Sequence, residues 1–282
     1  MIVYLNGRWL DAREAAIPIG DRGFLLADGV FETGRLINGR YFRLDQHLDR
    51  FSESARQLKL TAPSHHELRE IATQLTERNE LADGSLRFTL TRGPGGRGLD
   101  TRGSGPPTLL ATLSRIAPDW RERAARGWHI VTAQTRRPSP QSVPSQLKAL
   151  GRVYALLAHL EAEAAGADDA LLLSAAGDVA EGPTWNFFWR KGPTLRTASL
   201  DAGILEGLTR GIIIQVAQEA GYDTEEGLWP LADLFSADEA FASMTSVGVV
   251  PVRSLDGFHF PSSDCAMLLQ RRYWDYVEHT LD

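Results

Sequence analysis

The chain has 282 residues, of which 43% are hydrophobic and 23% are charged, and its formal net charge at pH 7 is −6. This balance is typical of a globular protein with one large or two moderate domains, and the acidic excess argues against bulk nucleic-acid binding. The single cysteine, Cys265, excludes a disulfide framework, and no apolar run is long enough to span a membrane. The N-terminus lacks the basic and apolar segments of a signal peptide, so we expect a cytoplasmic protein.

Hairpins and helices alternate in the N-terminal part, which we predict to be a small α/β domain over residues 1–117. An Asn-Gly dipeptide, the favoured two-residue hairpin turn, lies between strand-like segments at residues 6–7 and again at 38–39. Further along, the apolar spacing predicts a helix that begins after its N-cap Asp45, a helix over 65–79, and strands over 85–91 and 108–113.

A polar stretch that contains Pro118 interrupts this pattern, and we place a linker at 118–126 and a C-terminal domain at 127–282. In that domain the pattern predicts strands over 128–133, 170–174, 185–190, 239–244 and 249–252, and helices over 151–165, 209–220 and 266–279. Hairpin strands mixed with separate helices predict an α+β fold rather than a doubly wound parallel sheet.

Chemistry that needs a primary amine has three candidates, since Lys59, Lys148 and Lys191 are the lysines of this sequence. Most lysines are solvated surface charges. Lys148 has apolar neighbours on both sides, and a lysine removed from water can act as a nucleophile and form a Schiff base. The residues alone leave both interpretations of Lys148 open.

Several other segments contain groups that could bind a charged cofactor, and each also has a structural interpretation. Glu181 precedes a Gly-Pro pair, where it is either a turn residue or a carboxylate held at the start of a strand. The segment 207–210 opens a helix whose free N–H groups favour an anion, although Thr209 could instead be its N-cap. Arg50 could bind an anion or form a surface ion pair, and Thr245 with Ser246 could bind an anion or form a turn.

A glycine-rich loop at residues 92–98 contains Arg97, which could bind a substrate carboxylate or be an exposed charge at a hairpin tip. The loop lacks the Gly-Lys-Ser/Thr ending of a P-loop, so we do not interpret it as a nucleotide site. His65 and His66 are an isolated pair without metal-ligand spacing, and we predict no metal.

Taken together and in this order, the segments resemble the fold-type IV pyridoxal-phosphate enzymes, the class IV aminotransferases. This family includes branched-chain and D-amino acid aminotransferases, (R)-selective amine transaminases and aminodeoxychorismate lyase. The resemblance extends over nearly the whole chain. It is carried by Asp28-Gly29-Val30-Phe31-Glu32, His47-Leu48-Asp49-Arg50, Leu147-Lys148, Glu181-Gly182 with Asn186, Gly207-Leu208-Thr209-Arg210, and Thr245 before Pro251.

The resemblance implies a two-domain enzyme whose larger C-terminal pseudo-barrel domain binds pyridoxal 5′-phosphate. Lys148 would hold the cofactor as a Schiff base and move the substrate proton, and Glu181 would pair with the pyridine nitrogen. The other implied cofactor contacts come from Arg50, the backbone amides of Leu208 and Thr209, and Thr245, with Ser246 as a weaker neighbour. The implied substrate contacts come from Phe31, Thr33 and Arg97.

Some positions depart from particular members of this family. Phe31 stands where D-amino acid aminotransferases often have a tyrosine, and the loop after Arg97 lacks the histidine that completes their carboxylate site. Val153 stands where branched-chain enzymes usually place a tyrosine, with Tyr154 one residue later, so we do not transfer that role. The loop at 93–98 and the segment 188–192 look most similar to aminodeoxychorismate lyase, whereas the stretch from Thr245 to Val252 is more similar to the transaminases.

The resemblance therefore implies an aminotransferase that passes an amino group from a D- or branched-chain amino acid, or an amine, to a 2-oxo acid. The alternative is an aminodeoxychorismate lyase that makes 4-aminobenzoate and pyruvate. We expect small-molecule substrates, no nucleic-acid or membrane partner, and a homodimer. Two other classes, a non-catalytic anion or RNA binder and a metal hydrolase, find little support in a chain without a basic block or a metal-ligand motif.

Overall fold

In the computed structural model, which describes residues 1–96 and 98–281, the chain divides into two compact units. The N-terminal unit comprises Met1–Ile116, Leu147–Gly151 and the C-terminal Leu281, and the C-terminal unit comprises Ala117–Gln146 and Arg152–Thr280. The short segment Leu147–Gly151 thus belongs to the first unit although it follows a long stretch of the second. Lys148 lies in this segment and therefore belongs to the N-terminal unit. The predicted domain 127–282 would instead place it in the C-terminal unit.

The N-terminal unit is a six-stranded antiparallel sheet in the strand order β2-β1-β6-β5-β3-β4, with helices packed against it. Its elements are β1 (Ile2–Leu5), β2 (Arg8–Asp11), α1 (Arg22–Leu26), β3 (Gly29–Ile37), β4 (Arg40–Phe42), α2 (Leu44–Gln57), α3 (His65–Asn79), β5 (Gly84–Thr91) and β6 (Thr108–Ser114). The apolar core includes Val30 and Leu36 of β3, Leu48 and Phe51 of α2, and Phe88 of β5, all nearly or fully buried.

Both Asn-Gly dipeptides form the predicted hairpin turns, between β1 and β2 and between β3 and β4. Asn38 and Gly39 have positive φ angles of 49° and 79°, as a type I′ turn requires of both central residues. The helix predicted over 65–79 has those bounds.

The predicted N-cap Asp45 is wrong, because α2 begins one residue before it. Arg43 is the N-cap, with a left-handed φ of 50°. Asp45 lies in the first turn and accepts a hydrogen bond from Arg69 Nε of α3 at 2.7 Å. A carboxylate in the first turn still favours the helix through its dipole, and here it also links α2 to α3.

The C-terminal unit is built on a mixed sheet in the order β11-β10-β9-β12-β13-β7-β8, with β14 paired to β13. Its elements are α4 (Trp120–Arg126), β7 (Trp128–Arg136), α5 (Val153–Ala165), β8 (Asp169–Leu173), β9 (Asn186–Lys191), β10 (Thr194–Ala198), α6 (Leu208–Glu219), β11 (Asp223–Gly227), β12 (Glu239–Met244), β13 (Gly248–Leu255), β14 (Phe258–His259) and α7 (Asp264–Thr280). Antiparallel hairpins, parallel pairings and separate helices confirm the predicted α+β class.

The central strands β9 and β12 are buried on both faces over most of their length. Phe187, Phe188 and Trp189 of β9 have no exposed surface, and Phe188 stacks on Phe241 of β12 with ring centroids 5.0 Å apart. Aromatic pairs of this kind stabilise a core beyond the area that they bury. The first residue of β9, Asn186, lies at the end of this rigid core, and Glu181 and the start of α6 are arranged around it.

Residues 118–126, predicted to be a linker, contain α4 instead. Trp120 and Ala124, one turn apart, are buried while the positions between them are exposed. Trp120 packs on Trp274 of α7 at a ring-centroid distance of 5.0 Å. A short helix with one narrow apolar face looks polar in sequence, and this explains why the linker was the wrong prediction for these residues.

Among the described residues, no helix is long and apolar enough to cross a membrane. The cytoplasmic location stays a prediction.

Candidate active site

The backbone around Lys148 is held by the N-terminal unit. The segment 147–151 runs beside the start of β3, where the backbone N–H of Phe31 donates to the Lys148 carbonyl at 3.0 Å. On the other side, the Lys148 N–H donates to the Ser54 hydroxyl of α2 at 3.2 Å. Because both backbone groups of Lys148 are hydrogen-bonded, the root of its side chain is fixed between a strand and a helix.

The Lys148 side chain is largely buried, with 14% of its surface exposed. Its Nζ lies 3.9 Å from Oε1 of Glu32 and 5.1 Å from the ring centroid of Phe31. Lys148 is therefore not a solvated surface charge, which was the structural interpretation of this residue. It is an amine held beside a carboxylate and an aromatic face.

Glu32 is the centre of a charged cluster that sequence analysis did not predict. Its carboxylate is 1% exposed and accepts two hydrogen bonds from Arg50, from Nε and from Nη2, each at 2.8 Å. His47 Nδ1 lies 3.1 Å from the same carboxylate. His47 and Arg50 are three residues apart on α2, so both face β3. The His47-Leu48-Asp49-Arg50 motif was the available signal.

The electrostatics of this cluster favour an ionised carboxylate and a neutral imidazole. Burial alone would raise the pKa of the Glu32 carboxyl, but the positive charges of Lys148 and Arg50 outweigh burial and hold this pKa well below its ordinary value. Burial lowers the pKa of His47 and outweighs the contact with Glu32, which acts in the opposite direction. One carboxylate thus faces two cations, and the cluster has one positive charge in excess.

The predicted substrate residues Phe31 and Thr33 share one face of β3, since they are two residues apart on a strand. Opposite them, Thr33 pairs with Arg87 of β5, and the Arg87 guanidinium carbon lies 4.0 Å from the Phe31 ring centroid. Arg87 was missed, although alternate positions of β5 are polar and half-buried. Arg97, the third predicted substrate residue, lies outside the described residues.

In the C-terminal unit, Glu181 is held by a cation and by hydrogen-bond donors. Its Oε1 lies 3.1 Å from Nη2 of Arg137, and its Oε2 accepts hydrogen bonds from Asn186 Nδ2 at 3.0 Å and from the backbone N–H of Leu205 at 3.1 Å. Glu181 is 4% exposed, so it is not a plain turn residue. Arg137, which sequence analysis missed, is 6% exposed and also donates to the hydroxyl of Tyr154.

The first turn of α6 has no side-chain cap among the described residues, as a helix start that binds an anion requires. Gly207 is the N-cap, and no described side chain caps this helix, so Thr209 is not the N-cap that its alternative interpretation proposed. A Cβ atom at Gly207 would lie 2.1 Å from Oδ1 of Asn186, so the close approach requires glycine. The backbone N–H groups of Leu208 and Thr209 lie in the first turn, where the helix dipole favours negative charge.

Thr245 and Ser246 lie in the tight turn between β12 and β13, and both are half-buried. Asn186, at the start of β9, pairs with Ser243 near the end of β12. The turn therefore lies at the same edge of the sheet as Asn186 and Glu181. The structure brings together Glu181, the start of α6 and the β12–β13 turn in one unit, and it brings together Lys148, Arg50 and Phe31 in the other.

Comparison with known proteins identifies a family. The sequence model described as "Amino-transferase class IV" matches residues 29–255. The chain is 31% identical over 285 residues to an aminodeoxychorismate lyase of Bacillus subtilis, a match that covers 99% of this chain and 96% of the relative. It is 32% identical over 258 residues to a D-alanine aminotransferase of Bacillus licheniformis, with coverages of 91% and 89%.

Among solved structures, the chain is similar to the branched-chain aminotransferase of the thermophilic archaeon Thermoproteus uzoniensis, which was solved with norvaline. The TM-score is 0.91 at 28% sequence identity, and the match covers 98% of this chain and 94% of that one.

Proposed function

Since the chain belongs to the class IV aminotransferase family and is a pyridoxal-phosphate-dependent enzyme, we propose that it transfers the amino group of a D- or branched-chain amino acid, or of an amine, to a 2-oxo acid. The observation that carries this proposal is the environment of Lys148. One of only three lysines in the sequence is largely buried and fixed by its backbone beside Glu32 and Phe31. An exposed lysine would not have supported amine chemistry at this position.

The residues present fit pyridoxal 5′-phosphate in three separate respects. Lys148 offers an amine for the cofactor aldehyde, and Glu181 offers a buried carboxylate for a protonated pyridine nitrogen. The open start of α6, at which a Cβ of residue 207 would collide with Asn186, offers backbone donors for a phosphate. We propose that the phosphate is held by Arg50, the amides of Leu208 and Thr209, and Thr245 with Ser246.

When bound, the cofactor supplies an aldehyde and an electron-accepting ring. The chain itself supplies the proton transfer. We assign to Lys148 Nζ the removal of a proton from the substrate Cα and its delivery to the carbon of the cofactor's aldehyde group. We propose that the Glu181 carboxylate pairs with the ring nitrogen, where its contacts with Arg137, Asn186 and the Leu205 amide hold it in place.

The 2-oxo acid is proposed to enter over the face of β3 that contains Phe31 and Thr33. Arg87 lies on this same side with its guanidinium over the Phe31 ring, and we propose that it contacts a carboxylate of the substrate. Arg97, whose role is predicted from the sequence, is also proposed to contact the substrate.

The second candidate function is the aminodeoxychorismate lyase reaction, which the lyase relative supports by matching 99% of this chain. The same lysine and the same cofactor would serve elimination of pyruvate. Separate assays of the purified protein distinguish the two functions. Amino transfer from D-alanine or a branched-chain amino acid to 2-oxoglutarate supports the first, and pyruvate release from aminodeoxychorismate without any amino transfer overturns it.

The covalent site is tested by borohydride reduction followed by peptide mapping. We expect a pyridoxyl adduct on Lys148, and we expect Lys148→Ala to lose both the adduct and amino transfer. Lys59 and Lys191 are exposed controls in the same sample. An adduct on either of them, or full turnover by Lys148→Ala, would contradict the proposal.

We also propose a homodimer, and α5 supports it. Four apolar side chains form one exposed stripe on this helix, Val153, Leu156, Leu157 and Leu160, with exposed fractions of 67%, 57%, 47% and 46%. A stripe at this spacing is the usual pattern of a helix face covered by protein. Sedimentation should show a dimer, and Leu156→Glu with Leu160→Glu should dissociate it, whereas Arg271→Glu at an exposed position of α7 should not.

A further inference from the structure

A buried hydroxyl of α2 contacts the backbone of Lys148, and the proposed function has not used it so far. We propose that Ser54 is a positioning residue for Lys148: its hydroxyl oxygen holds the Lys148 backbone against α2, so that the amine keeps its place when it is not bonded to the cofactor. This inference rests on the proposed function, because it concerns the lysine to which that function assigns the chemistry.

The first support is the way in which the backbone around Lys148 is fixed. Two hydrogen bonds join it to the backbone of β3: the N–H of Phe31 donates to the Lys148 carbonyl at 3.0 Å, and the N–H of Leu150 donates to the Gly29 carbonyl at 2.9 Å. The contact with α2 is different in kind, because the Lys148 N–H donates to a side chain, the Ser54 hydroxyl, at 3.2 Å. This contact therefore depends on which residue the sequence places at position 54.

The second support is the burial of Ser54. This residue has no exposed surface, and its neighbours on the buried side of α2, Phe51 and Ala55, are apolar and equally buried. Removing a hydroxyl from water costs free energy unless a hydrogen bond compensates for it, and serine is also less favourable than alanine inside a helix. The bond from the Lys148 N–H supplies the compensation, and it explains why a polar residue stands at this position.

The third support is that α2 also contains Arg50, the proposed phosphate contact. Arg50 is four residues before Ser54, and residues at this spacing lie on the same side of a helix. Arg50 is itself held by two hydrogen bonds of 2.8 Å to Glu32. One turn of α2 therefore holds both a proposed phosphate contact and the backbone of the reactive lysine, so the separation between the two is set within a single helix.

The position of Lys148 matters because its amine acts at two carbons, the substrate Cα and the carbon of the cofactor's aldehyde group. A lysine side chain is long and flexible, so its reach is defined only when its backbone is fixed. A reacting group displaced by about 1 Å can lower a rate about a hundredfold. Loss of the Ser54 hydroxyl leaves the bonds to β3 in place, and we therefore expect a smaller decrease in kcat, about tenfold.

The first measurement is hydrogen–deuterium exchange of the full-length protein without cofactor, resolved to single amides by mass spectrometry with fragmentation. In Ser54→Ala the Lys148 N–H loses its acceptor, so we expect this amide to exchange about fivefold faster or more than in the wild type. The amides of β5 should keep their rates, which shows that the N-terminal unit stays folded. Unchanged exchange of the Lys148 amide in a folded Ser54→Ala protein overturns the proposal.

The second measurement separates positioning of Lys148 from a merely structural role of Ser54. In whichever of the two proposed reactions the wild type catalyses, Ser54→Ala should lower kcat about tenfold and change KM by about twofold or less, because the substrate contacts on β3 remain. Its affinity for pyridoxamine 5′-phosphate, which has no aldehyde to bond with the lysine, should also stay within about twofold of the wild type. Faster exchange of the Lys148 amide with an unchanged kcat overturns the proposal.

Ser52→Ala is the matched control. Ser52 lies two residues before Ser54 on the same helix, and its hydroxyl lies 3.2 Å from Nε2 of His65. Its replacement should leave both kcat and the exchange of the Lys148 amide unchanged, and an equal loss in Ser52→Ala would contradict the proposal. Ser54→Thr retains the hydroxyl and should keep both rates within about threefold of the wild type, whereas a folded Ser54→Thr protein as impaired as Ser54→Ala would contradict it.

The borohydride adduct reports separately on the proposed function. An adduct on Lys148 in the wild type, together with normal turnover and normal exchange in Ser54→Ala, refutes this inference alone. An adduct on another lysine refutes the proposed function instead.

Discussion

Arg137 Nη2 lies 3.1 Å from Oε1 of Glu181, and the two side chains are only 8% and 5% exposed. Arg137 directly follows β7 and Glu181 lies in the loop before β9, so this ion pair joins two segments that are distant in the sequence. Glu181 also accepts from Asn186 and from the Leu205 amide. The carboxylate that we propose for the pyridine nitrogen is thus prepared by the protein before any cofactor binds.

We predict that Arg137→Met destabilises the cofactor-free protein by about 3–5 kcal/mol, because it leaves a buried carboxylate without its cation. Urea unfolding followed by tryptophan fluorescence measures this free energy. Adding Glu181→Gln to Arg137→Met should recover part of the loss, since the uncompensated charge is then absent. A double variant less stable than Arg137→Met alone would show that the charge is not the cause.

Gly207→Ala should weaken cofactor binding by about tenfold or more, which is the usual effect of losing one hydrogen bond to a charged group such as the phosphate. A Cβ at this position would lie 2.1 Å from Asn186 Oδ1, and Asn186 would have to move away from Glu181 and from the start of α6. Fluorescence titration with pyridoxal phosphate measures the affinity. Far-ultraviolet circular dichroism should show the α6 helix intact, because the φ of Gly207 is −72°, which alanine adopts without strain.

Gly211→Ala is the control for this variant, on the same helix four residues later. A Cβ there would meet no described atom within 4 Å. Alanine in a helix interior is more favourable than glycine by about 0.5–1 kcal/mol, so Gly211→Ala should be slightly more stable and should bind the cofactor normally. Equal affinities of the two variants would show that the contact with Asn186 does not matter.

Much of the local structure is predictable from the sequence because its causes are local. The Asn-Gly hairpins and the helix over 65–79 follow from turn chemistry and apolar spacing, and the structure confirms them. The polar segment Asp223–Gly227 has no strand pattern at all. It is β11 only because it pairs in parallel with β10, and such pairing outweighs intrinsic preference at a sheet edge.

The site was predictable residue by residue but not contact by contact. Lys148 and Glu181 stand out by residue type and by resemblance, whereas Arg137, Arg87 and Glu32 acquire their roles from partners far away in the sequence. Arg137 is one of 27 arginines, and no pattern in the sequence marks it as one of the few that are buried. Tertiary contacts distinguish these residues, and one sequence does not contain those contacts explicitly.

His47 should make the protein sensitive to mild acid. Burial lowers the pKa of its imidazole, so below the ordinary histidine pKa the unfolded chain binds a proton that the folded chain does not. Stability therefore falls as the pH decreases from about 7 to 5, by at most about 1.4 kcal/mol per pH unit for one proton. His47→Gln should flatten this dependence in urea unfolding, and His66→Gln, at an exposed position of α3, should not. Identical slopes in all three proteins would contradict the assignment.

Cys265 should be inert in the folded protein although it is the single thiol. It lies in the first turn of α7, 2% exposed, and burial raises its pKa to about 11. The thiolate is the reactive form, and both its rarity at about pH 7.5 and its lack of access slow the reaction. We expect iodoacetamide to alkylate the native protein about a hundredfold more slowly than the unfolded chain.

The control is a Glu278→Cys, Cys265→Ala protein, which moves the thiol to an exposed position near the other end of the same helix. Mass spectrometry of timed samples should show this protein alkylated in the native state at nearly the unfolded rate. If native Cys265 reacts as fast as this exposed thiol, then the start of α7 opens readily. The backbone N–H bonds that Cys265 and Ala266 donate to Glu239, at 2.8 and 3.2 Å, would then not hold the helix closed.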